Sequence, residues 1–182
     1  QAYLFSGPRG TGKTTMARVL AAALNCPHRS PDGEPCGTCE SCAPIVQGLE
    51  TMDVRERDGA SNRGVEDARK LREQLMYAPS SENRWKVEII DEAHMLTREA
   101  WNALLKAIEE PPPRTVFVFA TTEPEKIEQT AKPVLSRCQH FAFRRISLNG
   151  IVERLRQIAR LEGIKVTDEA LVLIARHADG GM

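Results

Sequence analysis

Nine consecutive residues constrain this chain more than any others: Gly7-Pro8-Arg9-Gly10-Thr11-Gly12-Lys13-Thr14-Thr15. They satisfy the phosphate-loop pattern G-x-x-x-x-G-K-[ST] at every defined position. Before them stands the apolar run Ala2-Tyr3-Leu4-Phe5, of strand length. After them comes Met16 to Leu24, with Val19, Leu20, Ala23 and Leu24 at helical spacing. In a strand–loop–helix context the glycines let backbone N–H groups approach phosphate oxygens without an intervening Cβ, and the helix N-terminus adds partial positive charge. Lys13 is expected on the β- and γ-phosphates and the Thr14 hydroxyl on Mg²⁺. A glycine turn that binds nothing is the alternative, and the flanking elements speak against it. The pattern implies a chain that binds a nucleoside triphosphate.

A second motif answers the first. Val87-Glu88-Ile89-Ile90-Asp91-Glu92 is an apolar strand ending in acids. Ligands of open α/β sheets sit at the carboxyl ends of strands, so Asp91 is placed to hold magnesium and Glu92 to deprotonate an attacking water. Alone the pair could simply end a strand; with a full phosphate loop it reads as the other half of a site. Thr121-Thr122 closes the next strand, Val116 to Ala120, at the same edge. A hydroxyl there can report the γ-phosphate, or cap the turn before Pro124.

The remaining elements alternate. Thr51 to Asp58 is a candidate strand, Val65 to Met76 an amphipathic helix, and Glu99 to Glu110 a helix with Trp101, Leu104, Leu105 and Ile108 on one face, stopped by Pro111-Pro112-Pro113. A helix or loop leads to Ser136-Arg137-Cys138, and Phe141-Ala142-Phe143 is a last short strand. From Leu148 the pattern is helical throughout. Strands alternating with helices give a parallel α/β sheet, with the tail as a separate small unit.

Cys36, Cys39 and Cys42 share a Gly/Pro-rich stretch between Pro27 and Pro44, with Cys26 upstream. Two C-x₂-C spacings plus a fourth sulfur suit a tetrahedral structural zinc site. His28 is an alternative ligand, and two disulfides are the competing reading. A closed four-sulfur site does no chemistry. Cys138 reads as an ordinary packed thiol.

Taken together, AYLFSGPRGTGKTT, the four-cysteine insertion, DGASNRGVEDARKLRE, IIDEAHML, NALLKAIEEPP, FVFATTEPEKI and LSRC resemble one family: the gamma/tau subunits of the bacterial DNA polymerase III clamp loader, within the AAA+ ATPases. The resemblance implies an α/β three-layer sandwich with a parallel five-stranded sheet. It divides the chain into a core over residues 1–146 with a zinc module over 26–42, and a partial helical lid over 147–182. The whole of Gly7 to Thr15 then binds ATP with Asp91; Thr14 and Asp91 hold magnesium; Cys26, Cys36, Cys39 and Cys42 hold zinc. Glu92 and Thr122 act in the chain's own site. Arg137, by itself a surface arginine, becomes the residue that reaches in trans into a neighbour's site. Asn62 and Arg63 match a segment that faces DNA. The implied partners are sister subunits in a hetero-oligomeric ring, the sliding clamp and primed DNA, in the cytoplasm.

Against the family pattern the chain lacks an upstream adenine-holding segment and stops before the second sensor arginine and a third domain, so the piece is expected to be a weaker ATPase than its parent. A non-hydrolysing scaffold subunit and a related AAA+ remodeller are the alternative functions, and intact Lys13, Thr14, Asp91 and Glu92 oppose the scaffold. With 25 basic and 25 acidic residues the net charge is zero, which argues against a bulk electrostatic grip on nucleic acid and leaves a local basic face open. No apolar run has membrane-spanning length.

Three charges sit where the family has apolar strand residues: Arg55, Arg57 and Glu88. Arg55 and Arg57 share a face of an edge strand. Glu88, next door, is expected to contact one of them on a face at least partly open to solvent, for about 1 kcal/mol or less. The alternative is that each charge reaches water separately.

Overall fold

The computed structural model describes residues 1–75 and 77–182. Its strands are β1 (Ala2–Ser6), β2 (Val54–Asp58), β3 (Lys86–Asp91), β4 (Thr115–Thr121) and β5 (Gln139–Ala142). They form one five-stranded sheet in the order β2-β3-β4-β1-β5, parallel at every pairing. The helices are α1 (Lys13–Asn25), α2 (Cys42–Val46), α3 (Val65–Leu75), α4 (Arg98–Glu109), α5 (Pro124–Leu135), α6 (Leu148–Leu161) and α7 (Asp168–His177).

Alternation along the strands builds two cores. On one face Phe5, Val54, Val87, Ile89, Val116 and Val118 pack against α1 and the cysteine insertion. On the other, Leu4, Ile90, Phe117 and Phe119 meet Leu71 and Leu75 of α3, Trp101, Leu104 and Ile108 of α4, and Ile127 of α5. The result is the expected three-layer sandwich, with the uninterrupted apolar run of β4 buried on both sides.

Several boundaries and faces differ from the sequence expectation. The buried face of α1 is Ala17, Ala21 and Ala22, while Val19, Leu20, Ala23 and Leu24 are only half-buried. Small side chains let the helix lie close to the sheet, and the larger ones flank it. β2 starts at Val54 because Thr51 forms a tight turn, its N–H donating to Val54 O and its Oγ1 accepting from Val54 N–H, both at 2.9 Å. α5 carries Pro133 and non-helical angles at Ala131 (φ −142°, ψ 40°), which blurs the helical pattern there. Met76, expected in α3, lies outside the described residues.

β2 is an edge strand beside β3, as expected, and pairs Arg55 opposite Glu88. The solvent exposure expected for Glu88 is not found: it is 4% exposed, covered by α3, whose Gln74 Oε1 accepts from Arg55 Nη1 and from Arg57 Nη2. An edge strand exposes its outer backbone, whereas its faces can still lie beneath a helix. The tail makes its own small core from Ile151, Val152, Leu171 and Ala175, with Ser147 and Thr167 capping α6 and α7.

Candidate nucleotide-binding site

The carboxyl ends of β1, β3 and β4 lie side by side, and the phosphate loop leaves β1 there. Gly7 N–H donates to Thr121 O at 3.2 Å, fixing the loop's entry to β4. A Cβ on Gly7 would lie 2.3 Å from Phe143 O, so only glycine fits between the loop and the chain after β5. Gly12, the residue before α1, has φ 89° and ψ 16°, a left-handed conformation that turns the loop into the helix. The loop and α1 thus wall a cavity of ≈ 620 Å³ with Asp91, Glu92 and Thr122 opposite.

Lys13 is 7% exposed, and its ammonium donates to Gly7 O at 2.8 Å and Pro8 O at 2.7 Å. Burial lowers its pKa, against the attraction of Glu92 and Asp91. The lysine is thus held over the loop by two of the loop's own carbonyls. Across the cavity Thr14 Oγ1 donates to Asp91 Oδ2 at 2.7 Å. These are hard oxygen donors on neighbouring elements, a set that fits magnesium with water completing its shell. Glu92 adopts φ 46°, ψ 44°, an uncommon conformation for a side chain-bearing residue, held by its N–H to Asp91 Oδ1 at 2.9 Å. Thr122 Oγ1 donates to Glu92 Oε2 at 3.2 Å, so the carboxylate and the threonine hydroxyl are one unit.

The four cysteines of the insertion also converge: the sulfurs of Cys26, Cys36, Cys39 and Cys42 lie within 4.8 Å of one another. Tetrahedral zinc at about 2.3 Å from each sulfur needs sulfurs about 3.8 Å apart, so the cluster fits with small adjustment. All are free thiols, which removes the disulfide reading, and His28 is exposed outside the cluster. Backbone N–H groups of Thr38 and Cys39 pull the Cys36 thiol down to about 6, while burial pushes Cys42 up to about 12. Cys26 accepts from the N–H groups of His28 at 3.3 Å and Cys36 at 3.4 Å. The cluster is built from α1, the loop and α2, and none of its residues lines the nucleotide cavity.

The other sequence-predicted residues lie outside this cavity. Arg137 follows α5 and is bound to Glu109 at 2.7 Å, with Nη1 donating to Pro133 O and Ser136 Oγ. Asn62 donates through Nδ2 to Asp58 O at 3.0 Å, and Arg63 is exposed before α3. Cys138 packs on the core, and burial raises its thiol to about 11.

Sequence reasoning missed two features. His94, in the 3₁₀ turn Ala93–Met95, lies against Glu92, Thr121 and Glu123; its position two residues past Glu92 was the available signal. An apolar groove of ≈ 570 Å³, lined by Tyr3, Phe5, Leu20 and Phe141 among others, joins the phosphate cavity through Met16 and Phe143. No short motif announces it, because its walls come from three separate elements.

A family model described as "DNA polymerase III, delta subunit" matches residues 1–147. Over its whole length the chain is 50% identical to the DNA polymerase III subunit tau of Bacillus subtilis and 45% identical to that of Escherichia coli, spanning 31% and 27% of those proteins. It is 49% identical to the gamma/tau subunit of Mycobacterium tuberculosis over 98% of the chain and 30% of the relative. The chain thus spans about a third or less of the length of these relatives. Among solved structures, a RuvB variant of Thermotoga maritima superposes with a TM-score of 0.64 at 20% identity, covering 99% of this chain and 50% of that one. A DNA polymerase III gamma subunit-related protein of the same organism gives 0.52 at 20% identity, covering 98% of this chain and 53% of that one. At such identities the structural likeness speaks for the fold alone.

Proposed function

The chain belongs to the DNA polymerase III gamma/tau family of AAA+ subunits, and on that premise we propose that it is the ATP-binding and ATP-hydrolysing part of a clamp-loader motor subunit. With sister subunits in a ring, the parent protein opens a sliding clamp and places it on primed DNA in the cytoplasm. The observation that carries this reading is the convergence of Lys13, Thr14, Asp91, Glu92 and Thr122 on one cavity. A scaffold subunit has no need of that set.

In this reading the loop N–H groups and Lys13 bind the triphosphate, and the adjoining apolar groove takes the base. Magnesium, when bound, offsets phosphate charge, and Thr14 and Asp91 are the residues that would hold it. Glu92 Oε1 has no hydrogen-bond partner among the described residues and is free to take a proton from water. Thr122, bonded to Oε2, orients the carboxylate. Arg137 acts in trans on a neighbour's ATP, and Asn62 and Arg63 face DNA. Zinc closes the cysteine insertion and stays out of the chemistry.

The test is Glu92→Gln in the full-length subunit, assembled with its sister subunits, clamp and primed DNA. ATP binding is expected to persist while turnover falls by at least a hundredfold, roughly the scale of general-base catalysis. Wild-type turnover by that variant would overturn the assignment of Glu92, and an absence of turnover in the wild type would favour the scaffold.

A further inference from the structure

We propose that His94 is a positioning residue for the Glu92 carboxylate, holding one of its oxygens so that the other faces the attacking water. This rests on Glu92 being the base. The His94 side chain is 7% exposed and touches groups from the end of β4, the start of α5 and its own turn. Nε2 lies 3.1 Å from Glu123 Oε1, and Nδ1 lies 3.1 Å from Thr121 Oγ1 and 3.4 Å from Glu92 Oε2.

The bonding pattern assigns the ring's protons. Lys126, bonded to Glu123 at 2.8–2.9 Å, holds that carboxyl below its ordinary range, so it meets the ring as an acceptor. Nε2 therefore carries a proton. Thr121 Oγ1 accepts the Glu123 N–H at 3.0 Å and keeps a second lone pair, so it can also accept from Nδ1 when that nitrogen is protonated. The ring edge then stands against Glu92 Oε2. A second proton on Nδ1 would bond that oxygen directly. With that proton in place the carboxylate is held between His94 Nδ1–H and the Thr122 hydroxyl, both on Oε2. A carboxylate tethered by one oxygen presents the other in a fixed direction, and misplacing a base by about 1 Å can cost roughly a hundredfold in rate.

A histidine kept only for packing would show itself differently, because its loss would weaken the fold and nucleotide binding as well as turnover. The experiment uses the full-length subunit in its assembled form and measures ATP affinity and turnover separately. His94→Ala should lower kcat roughly ten- to a hundredfold and leave the Kd for ATP within about twofold. On the Glu92→Gln background it should slow the residual rate no further, because it acts through Glu92. His94→Asn, which keeps a donor and an acceptor, should recover part of the rate. Unchanged kcat, a loss of ATP affinity equal to the loss of rate, or a further loss on the Glu92→Gln background would each overturn the proposal. Should His94→Ala not fold, Thr121→Val and Glu123→Gln remove the ring's partners instead. Each should lower kcat severalfold, and wild-type kcat in both would reject it. If Glu92→Gln itself turns ATP over normally, the reading of the base fails first, and that result is separate from these.

Discussion

Arg57 and Glu88 stand on neighbouring strands with Nε and Oε2 3.8 Å apart, a pair beyond hydrogen-bond distance beneath α3. The arginine attracts the carboxylate, and burial opposes its ionisation more strongly: desolvation raises Glu88 from 4.5 to about 7, with Arg57, Arg55 and Lys86 pulling the other way. The folded chain therefore holds this proton more tightly than the unfolded chain. Stability falls as pH rises from about 4.5 to about 7, where the unfolded state has released the proton and the folded state has not. Glu88→Gln, which keeps the neutral shape, should stabilise the protein at pH 8 by on the order of 2–3 kcal/mol and by less than about 0.5 kcal/mol at pH 4. Chemical denaturation at the two pH values measures this. A variant less stable than wild type at pH 8 would mean that the arginines outweigh burial.

The cysteine cluster should carry one zinc per chain, because the four sulfurs lie within 4.8 Å of one another and the site is closed. Zinc needs thiolates, and burial resists ionisation of Cys42 most of all. Uptake should therefore release protons, and affinity should fall as pH falls. Titration with a chromophoric chelator between pH 8 and pH 5.5 would show zinc leaving more readily at the acid end, and Cys42→Ala should lose it throughout. Metal-free protein from a reducing purification would contradict the assignment.

Lys13→Ala should lower ATP affinity about a hundredfold or more, the equivalent of roughly 3 kcal/mol of charge-assisted bonding. Its two present partners, Gly7 O and Pro8 O, are backbone acceptors exposed to solvent once the lysine leaves, so the fold should survive. Fluorescent-nucleotide titration beside a thermal melt separates the two effects. A fall in melting temperature large enough to explain the lost binding would make Lys13 chiefly a structural brace.

Residues whose chemistry requires a fixed spacing were legible in the sequence: the phosphate loop, the acids ending β3 and the cysteine quartet. The parallel order of the sheet followed from strands alternating with helices. What was not legible depends on packing. Alanines form the buried face of α1 because the helix lies close to the sheet, and no periodicity of large residues announces that. Glu88 was expected near solvent because β2 is an edge, yet α3 roofs that face. His94 gains its meaning only when β4 brings Thr121 and the start of α5 brings Glu123 beside it.

Arg137 offers the sharpest separation between the chain alone and the chain in a ring. Its guanidinium is bound to Glu109 at 2.7 Å and is absent from the lining of the chain's own nucleotide cavity. Both partners are more than a third exposed, so the pair itself stabilises by under about 1 kcal/mol, and Arg137→Ala should leave the melting temperature nearly unchanged. ATP affinity of the isolated subunit should also be unchanged, since nothing in that cavity is lost. In the assembled ring the same variant should reduce turnover by about 10³-fold or more, the scale of an arginine delivered to a phosphoryl-transfer site. Arg137→Lys should recover only part, because a point charge cannot reproduce the planar fork that grips phosphate oxygens. The decisive comparison is basal turnover of the isolated subunit against turnover in the ring, with wild type and Arg137→Ala measured in both. An equal defect in the two settings would move Arg137 from a neighbour's site to its own, or to the packing of α5 on α4.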